Sequence, residues 1–132
     1  MSNKDEFNRI AAVVLGMLDE SFPVSIVIKA EEIIDIEDEE ALRVLLYSMI
    51  FLQRQDIISF TDRTIDGSRF AEVMLTGKGL ALLNSVPDVI KEKTTFRQRI
   101  GNALKSGSKE VLKTSINQLV QAVAKGSFDL PT

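Results

Sequence analysis

Apolar residues recur at helical spacing in two stretches of the first 56 residues. From Asp5 to Leu18 they fall at positions i, i+3, i+4, i+7, i+8 and i+11, which places them on one face of a helix. We expect Pro23 to end this helix, because proline cannot continue one and disfavours helical geometry at the preceding residue. The second stretch, from Asp35 to Gln55, has a broader apolar face. It predicts a long helix that is largely enclosed.

The chain between these two helices is short. Val24–Ile28 is rich in β-branched residues and predicts either a small strand or an extended lead-in, while Lys29–Ile34 predicts a helix of two turns at most. Four carboxylates, Glu37 to Glu40, then fall in the predicted first turn of the long helix, where they favour the positive end of its dipole. We interpret them as a helix start rather than a metal site. Beyond that turn, three residues are expected to face outward: Arg43, Tyr47 and Arg54.

A period of two replaces the helical period after residue 56. Asp66-Gly67 stands between two alternating segments, which is a strong hairpin signal and predicts a type I′ turn. A turn centred there pairs Ile58 with Leu75 and Arg63 with Phe70. One face of the hairpin is then apolar and expected to be buried: Ile58, Phe60, Ala71, Val73 and Leu75.

The hairpin tip and the chain that follows complete the predicted elements. The tip, residues 62–69, is expected to project as a charged finger. Thr76 is placed to cap a short helix that follows the hairpin, and Pro87 is placed to begin another. From Thr94 to Lys125 two amphipathic halves are joined by Ser-Gly-Ser, and their apolar stripe is expected to form a dimer interface. The residues predicted for dimerisation are Ile100, Leu104, Leu112, Ile116, Leu119, Val120 and Val123.

Two short motifs and the order of these elements carry a resemblance to a known superfamily. In the first motif, Leu45, Met49 and Leu52 lead into Ile57-Ile58 at the start of the hairpin; in the second, Leu75-Thr76-Gly77-Lys78-Gly79-Leu80 joins the hairpin to the next helix. Over about residues 7–86 the chain resembles the winged-helix superfamily, with Asp56 at a position where glycine is usual. The resemblance implies a mainly α fold with a small β-hairpin wing, and a winged-helix domain at 1–86. An amphipathic helical extension at 87–126 and a frayed tail at 127–132 follow.

The resemblance also implies a function. Many winged-helix domains bind duplex DNA through the long helix and the wing, so we expect a transcriptional regulator that acts as a dimer. The nucleic-acid-binding residues that it implies are Arg43, Tyr47, Arg54, Arg63 and Arg69. Four consecutive carboxylates at the start of the long helix depart from this pattern, because DNA affinity rests on neutralising phosphates with Lys and Arg. The alternative is a winged-helix protein-interaction module that docks a basic partner through its acidic front.

Charge and composition limit the remaining functions. Residues 1–56 hold 5 basic and 12 acidic side chains, a net −7, whereas residues 96–132 hold 6 and 2, a net +4. The chain contains no histidine and no cysteine, which removes thiol and histidine nucleophiles and the common zinc sets, so we expect no enzyme, no metal and no cofactor. No apolar run approaches 18 residues. We expect a cytoplasmic protein, and we weigh its basic tail as a dimerisation or docking element ahead of a nucleic-acid arm or a membrane-surface helix.

Overall fold

The computed structural model describes residues 3–84 and, farther along, residues 102, 104–106, 113, 114, 116 and 117. Its elements are α1 (Asn3–Ser21), β1 (Ile26–Lys29), a 3-10 turn (Ala30–Glu32), α2 (Glu39–Arg54), β2 (Ile58–Ser59), β3 (Asp62–Arg63), β4 (Arg69–Leu75) and α3 (Gly77–Asn84). The described residues beyond 84 are helical. The predicted fold class, mainly α with a small β-hairpin, is confirmed. The helix expected from Pro87 lies outside the described residues.

The core lies where α1 packs against α2 and against the central strand β4. The predicted apolar stripe of α1 is buried, with Ile10, Val14 and Leu18 fully covered. Helix α2 contributes Leu45, Met49 and Leu52 from its enclosed face. Each buried aliphatic side chain of this kind stabilises the fold by roughly 1.5–3 kcal/mol relative to an exposed position. Packing of these apolar stripes therefore fixes the position of α2 and the direction of its outer face, which carries Arg43, Tyr47 and Arg54.

Helix α2 begins four residues later than predicted. Asp38 is its N-cap, because its carboxylate accepts a hydrogen bond from the Ala41 amide at 3.1 Å. Asp35 instead accepts from the Glu37 amide at 3.1 Å and closes a separate turn before the helix. The sequence offers an acidic cap at both positions, and the cap nearer the apolar stripe is the one used. Glu37 therefore lies outside the first turn, which holds Glu39 and Glu40.

Helix α2 ends in a Schellman motif in which Asp56 takes the left-handed position. Its φ is 60°, the Asp56 amide donates to the Gln53 carbonyl at 2.9 Å, and the Ile57 amide donates to the Leu52 carbonyl at 3.0 Å. Glycine is usual at this position because it meets no Cβ penalty there. Asp56 thus adopts the conformation of the expected glycine at some energetic cost.

The hairpin has the predicted register. Ile58 pairs with Leu75 and Arg63 with Phe70, and β4 lies between β1 on one side and the β2 and β3 segments on the other, all antiparallel. The turn type, however, was predicted wrongly. The Gly67 amide donates to the Thr64 carbonyl at 3.1 Å, and of the two turn residues predicted to have positive φ only Gly67 has it, at 79°. The turn is therefore Thr64–Gly67, with glycine in its last position.

The buried face of β4 also differs from the prediction. Phe70 is fully buried and Ala71 only half-buried, because Glu72 has a φ of 52° and the pairing with β1 shifts by one residue between Ile26 and Ile28. A β-bulge at Glu72 therefore turns both Phe70 and Val73 inward. Phe70 then packs edge-on against Phe60, with ring centroids 5.2 Å apart.

The hairpin tip is docked rather than projecting, which corrects the expected charged finger. Gly67 is buried, and a Cβ added there would lie 2.8 Å from the Cβ of Leu46 on α2. The Ala30 amide donates to the Ser68 carbonyl at 2.8 Å. The tip is thus held between α2 and the 3-10 turn, and the hairpin lies along α2 instead of extending from it.

Thr76 joins the hairpin to α3 as predicted. Its hydroxyl accepts from the Gly79 amide at 3.0 Å, which caps the helix, and donates to the Asp56 and Ile57 carbonyls. A Cβ added to Gly79 would lie 2.1 Å from the Ile57 carbonyl oxygen. These contacts account for the second motif. Thr76 supplies the cap, and Gly79 allows α3 to pack directly against the start of the hairpin.

Candidate functional site

The three residues predicted to face outward on α2 share one exposed stripe. At 3.6 residues per turn Arg43, Tyr47 and Arg54 fall within about 40° of arc, and all three are exposed, Tyr47 at 60%. The stripe lies opposite the buried face of the helix. The three residues face outward as predicted. Their contact with DNA stays a prediction.

The two predicted hairpin arginines form a second group. Arg63 on β3 and Arg69 at the start of β4 are both exposed. The Arg63 guanidinium donates to the carbonyls of Thr64 and Ile65 at 3.1 and 3.4 Å, which holds it against the turn. The structure therefore brings Arg63 and Arg69 to the docked tip of the hairpin, while Arg54 lies at the far end of α2.

Two of the residues predicted for dimerisation can be placed. Leu104 is 37% exposed, and its Cδ1 would lie 3.9 Å from a Cβ built on Gly16 of α1. Ile116 is fully buried in the same core as α1 and α2. Its side chain is covered within the chain, so a dimer contact made by Ile116 itself would require the extension to separate from the core. The other predicted residues, Ile100, Leu112, Leu119, Val120 and Val123, lie outside the described residues.

Seven exposed carboxylates occupy residues 31–40, which we call the acidic segment: Glu31, Glu32, Asp35, Glu37, Asp38, Glu39 and Glu40. Lys and Arg are absent from it. Asp35 and Asp38 cap backbone amides, as described above. The other five carboxylates accept no hydrogen bond from residues 3–84. The salt bridge in that part of the chain joins Arg9 to Glu6, which both lie outside the segment. The segment runs from the 3-10 turn to the first residues of α2, so its charge is concentrated at the N-terminal end of α2.

Two large apolar side chains are exposed at the same end. Ile36 lies within the acidic segment and is 42% exposed, and Ile65 at the hairpin tip is 94% exposed. The hydrogen bond between Ala30 and Ser68 ties the tip to the residue that precedes Glu31. Contiguous exposed apolar patches rimmed by polar residues mark interaction surfaces, whereas single exposed apolar residues are common on any protein. We call the acidic segment together with Ile65 the acidic docking surface.

The carboxylate of Asp66 accepts hydrogen bonds within the hairpin tip. The side-chain and backbone groups of Ser68, followed by the Thr64 hydroxyl, hold the pKa of Asp66 below its usual value of 3.8. The Ser68 amide and the Thr64 hydroxyl lie 3.0 and 2.9 Å from the Asp66 carboxylate. Because these donors favour the charged form, the turn is best ordered when Asp66 is ionised.

Sequence reasoning missed a cleft of about 880 Å³ between α1 and α2. Phe7, Asn8, Tyr47 and Phe51 line it, and Asn117 of the extension contributes to its wall. The signal that could have found it is a polar residue in each enclosed helix face, Asn8 in α1 and Ser48 in α2, both at most 4% exposed. Arg43 and Tyr47 border this cleft as well as the exposed stripe.

Groups that could bind a metal and helices that could span a membrane are both absent from the described part of the chain. Its acidic residues form no group of three or more that could hold a metal ion, and none of its helices combines the length and apolarity that crossing a bilayer requires.

No protein-family model, curated protein or solved structure matches the chain. Three features of the described chain therefore bear on its function: the acidic docking surface, the arginine groups and the cleft.

Proposed function

We propose that the chain is a protein-interaction module of winged-helix type, whose acidic docking surface binds a basic partner that carries apolar anchors. The observation that carries the proposal is the concentration of seven exposed carboxylates in ten residues, with Ile36 among them and Ile65 beside them. Charge complementarity gives such an interface its orientation and association rate, while buried apolar side chains supply much of its affinity. A lysine- and arginine-rich segment with aliphatic residues fits both features.

The geometry favours this proposal over DNA binding. In helix-turn-helix proteins the first residues of the recognition helix approach the bases. The corresponding residues here are Glu39 and Glu40, preceded by the rest of the acidic segment. Between residues 31 and 76 the chain has 11 acidic and 4 basic side chains. A surface of this charge repels phosphates over most of the area that would face a duplex.

A DNA-binding dimeric regulator is retained as the second candidate because of one observation. Arg43, Tyr47 and Arg54 lie exposed on one side of α2, and Arg63 and Arg69 are exposed on the hairpin. These are the positions that the winged-helix resemblance assigns to DNA contacts. Under either candidate we place the protein in the cytoplasm, for which its lack of cysteine is suitable.

One binding series on the full chain separates the two candidates. The probes are a synthetic peptide of alternating lysine and leucine and a random-sequence DNA duplex, each titrated at low and at physiological salt. We expect the peptide to bind with an affinity that falls as salt rises, and the duplex to show no retardation. The double variant Glu31→Lys and Glu32→Lys should weaken peptide binding about tenfold or more.

Two control variants make the result specific. Asp5→Lys with Glu20→Lys changes the net charge equally at exposed positions on α1, and it should weaken peptide binding much less. Arg63→Ala with Arg69→Ala should leave peptide binding intact. Equal losses from both acid-to-lysine pairs would reject the docking surface. Low-salt DNA binding that disappears with the arginine pair would favour the regulator instead.

A further inference from the structure

The cleft between α1 and α2 has the dimensions and lining of a small-molecule site. Its volume of about 880 Å³ lies within the range of roughly 300–1,000 Å³ that is usual for ligand pockets. The aromatic part of its lining is built from both helices, since Phe7 of α1 meets Phe51 of α2 edge-on with ring centroids 5.5 Å apart. Val44 and Tyr47 extend this lining along α2. An aromatic ligand would therefore find ring faces and edges to pack on.

Asn8 gives the cleft a buried polar group that lacks a partner. Asn8 is 3% exposed. Among the buried side-chain nitrogen and oxygen atoms of the described residues, its Nδ2 is the atom that lacks a hydrogen-bond partner. Ser48, the other buried polar residue, differs because its hydroxyl donates to the Val44 carbonyl at 2.6 Å. A buried amide that lacks its hydrogen bond is destabilising. Because Nδ2 is covered in the ligand-free protein, a ligand oxygen in the cleft would reach it after rotation of the Asn8 side chain and would then remove that deficit.

Charged side chains at the rim indicate the charge of the ligand. Lys4 and Arg43 border the cleft together with Glu40, which leaves one positive charge in excess, and all three are exposed. Neither cation forms an ion pair with another residue of the described part. An arginine guanidinium binds a carboxylate through two parallel hydrogen bonds. The lining therefore suits a ligand with one negative charge.

We propose that this cleft binds a small aromatic carboxylate. Its ring would pack against Phe7, Phe51 and Tyr47, its carboxylate would bind Arg43 and Lys4, and one oxygen of the same carboxylate would also accept the free hydrogen bond of Asn8. The occupant would also cover Arg43 and Tyr47, two of the three residues of the exposed α2 stripe. The aromatic and cationic residues on which the proposal rests lie outside the acidic docking surface, and Glu40 is the residue that belongs to both.

The chain contains a reporter for this test. It has one tyrosine and no tryptophan, and that tyrosine, Tyr47, borders the cleft, so tyrosine emission reports on this position alone. The probes are 2-naphthoate and its neutral counterpart of the same shape, 2-naphthamide. We expect 2-naphthoate to quench Tyr47 emission saturably and the amide to bind about tenfold more weakly, because it lacks the charge.

Substitutions then connect the binding to the lining. Arg43→Ala should weaken 2-naphthoate binding about tenfold, while Arg63→Ala, which removes an exposed arginine from the hairpin, should have no effect. Asn8→Leu should weaken binding and at the same time raise the melting temperature of the ligand-free protein, because it replaces an unpaired polar group with an apolar one. A purely structural asparagine would not give these opposite effects.

Three results would overturn the proposal. The first is the absence of saturable quenching up to about 1 mM 2-naphthoate, a concentration at which even weak specific sites are occupied. The second is equal affinity for the acid and the amide. The third is an Arg43→Ala variant that binds the acid as well as Arg63→Ala does.

Discussion

The contact between Gly79 and the start of the hairpin permits a sharp test of the fold. A Cβ at Gly79 would lie 2.1 Å from the Ile57 carbonyl oxygen and 3.1 Å from its carbon. Ordinary contact begins at 3.4 Å, so α3 would have to move away by about 1.3 Å, the difference between the two oxygen distances. Backbone lies on the facing side, so no side chain can rotate to make room.

The cost of that displacement follows from what it disturbs. Leu82 and Leu83 of α3 are 2% exposed and would lose close packing. The hydrogen bond from the Thr76 amide to the Ile57 carbonyl, 3.0 Å long, would be stretched as well. Overpacking against a rigid neighbour costs about 1–3 kcal/mol, and the lost hydrogen bond adds about 1 kcal/mol. We expect Gly79→Ala to lower the free energy of unfolding by about 3 kcal/mol, or the melting temperature by roughly 10 °C.

Gly77→Ala is the matched control, two residues earlier in the same helix. A Cβ at Gly77 would meet nothing within 4 Å, and alanine favours helix over glycine by up to about 1 kcal/mol. Urea unfolding followed by circular dichroism should therefore show Gly79→Ala strongly destabilised and Gly77→Ala unchanged or slightly more stable. Equal stabilities for the two variants would refute the close approach of α3 to Ile57.

Substitutions at three further positions test other parts of the fold. Asp56→Gly should raise the free energy of unfolding by about 0.5–1 kcal/mol and Asp56→Ala should lower it, because only glycine enters the left-handed position without penalty; thermal unfolding of the pair would show opposite shifts. Gly67→Ala should destabilise by about 2 kcal/mol, since its Cβ would meet Leu46 at 2.8 Å and its φ is 79°, and hydrogen exchange should show the tip amides less protected. Asp66→Asn should lower stability at pH 7 but have little effect once the pH has fallen below the lowered pKa of Asp66, because a depressed carboxyl pKa stabilises only above that value; a stability difference that is unchanged at low pH would contradict this mechanism.

The sequence predicted the strand pairing better than the faces of the strands. Pairing of Ile58 with Leu75 follows from alternation on both sides of a turn, and alternation is visible in one chain. The inward turn of Phe70 depends on the bulge at Glu72, where the left-handed residue is a glutamate rather than the glycine that would have announced it. The start of α2 was misplaced for a similar reason, because Asp35 and Asp38 are equally good caps in sequence.

The exposed residues were predicted more easily than the cleft. Helical period alone places Arg43, Tyr47 and Arg54 on one side of α2. The cleft instead depends on how the N-terminal half of α1 crosses α2, which is set by packing between segments about 40 residues apart. The docked hairpin tip also depends on such a contact, between Gly67 and Leu46. The charged residues of the tip, taken alone, predicted instead that it would project into solvent.

The lengths of the strands have a consequence for how the sheet meets other chains. Strand β4 is seven residues long and central, but its neighbours are a four-residue strand on one side and two two-residue strands on the other. Short, interrupted outer strands offer few consecutive free amides and carbonyls to another chain. Val27 remains 40% exposed on the four-residue strand, with Lys29 two residues farther along the same strand. The sheet thus holds the hairpin in place, while its edges offer few backbone groups to which a strand of another chain could hydrogen-bond and so start edge-to-edge aggregation.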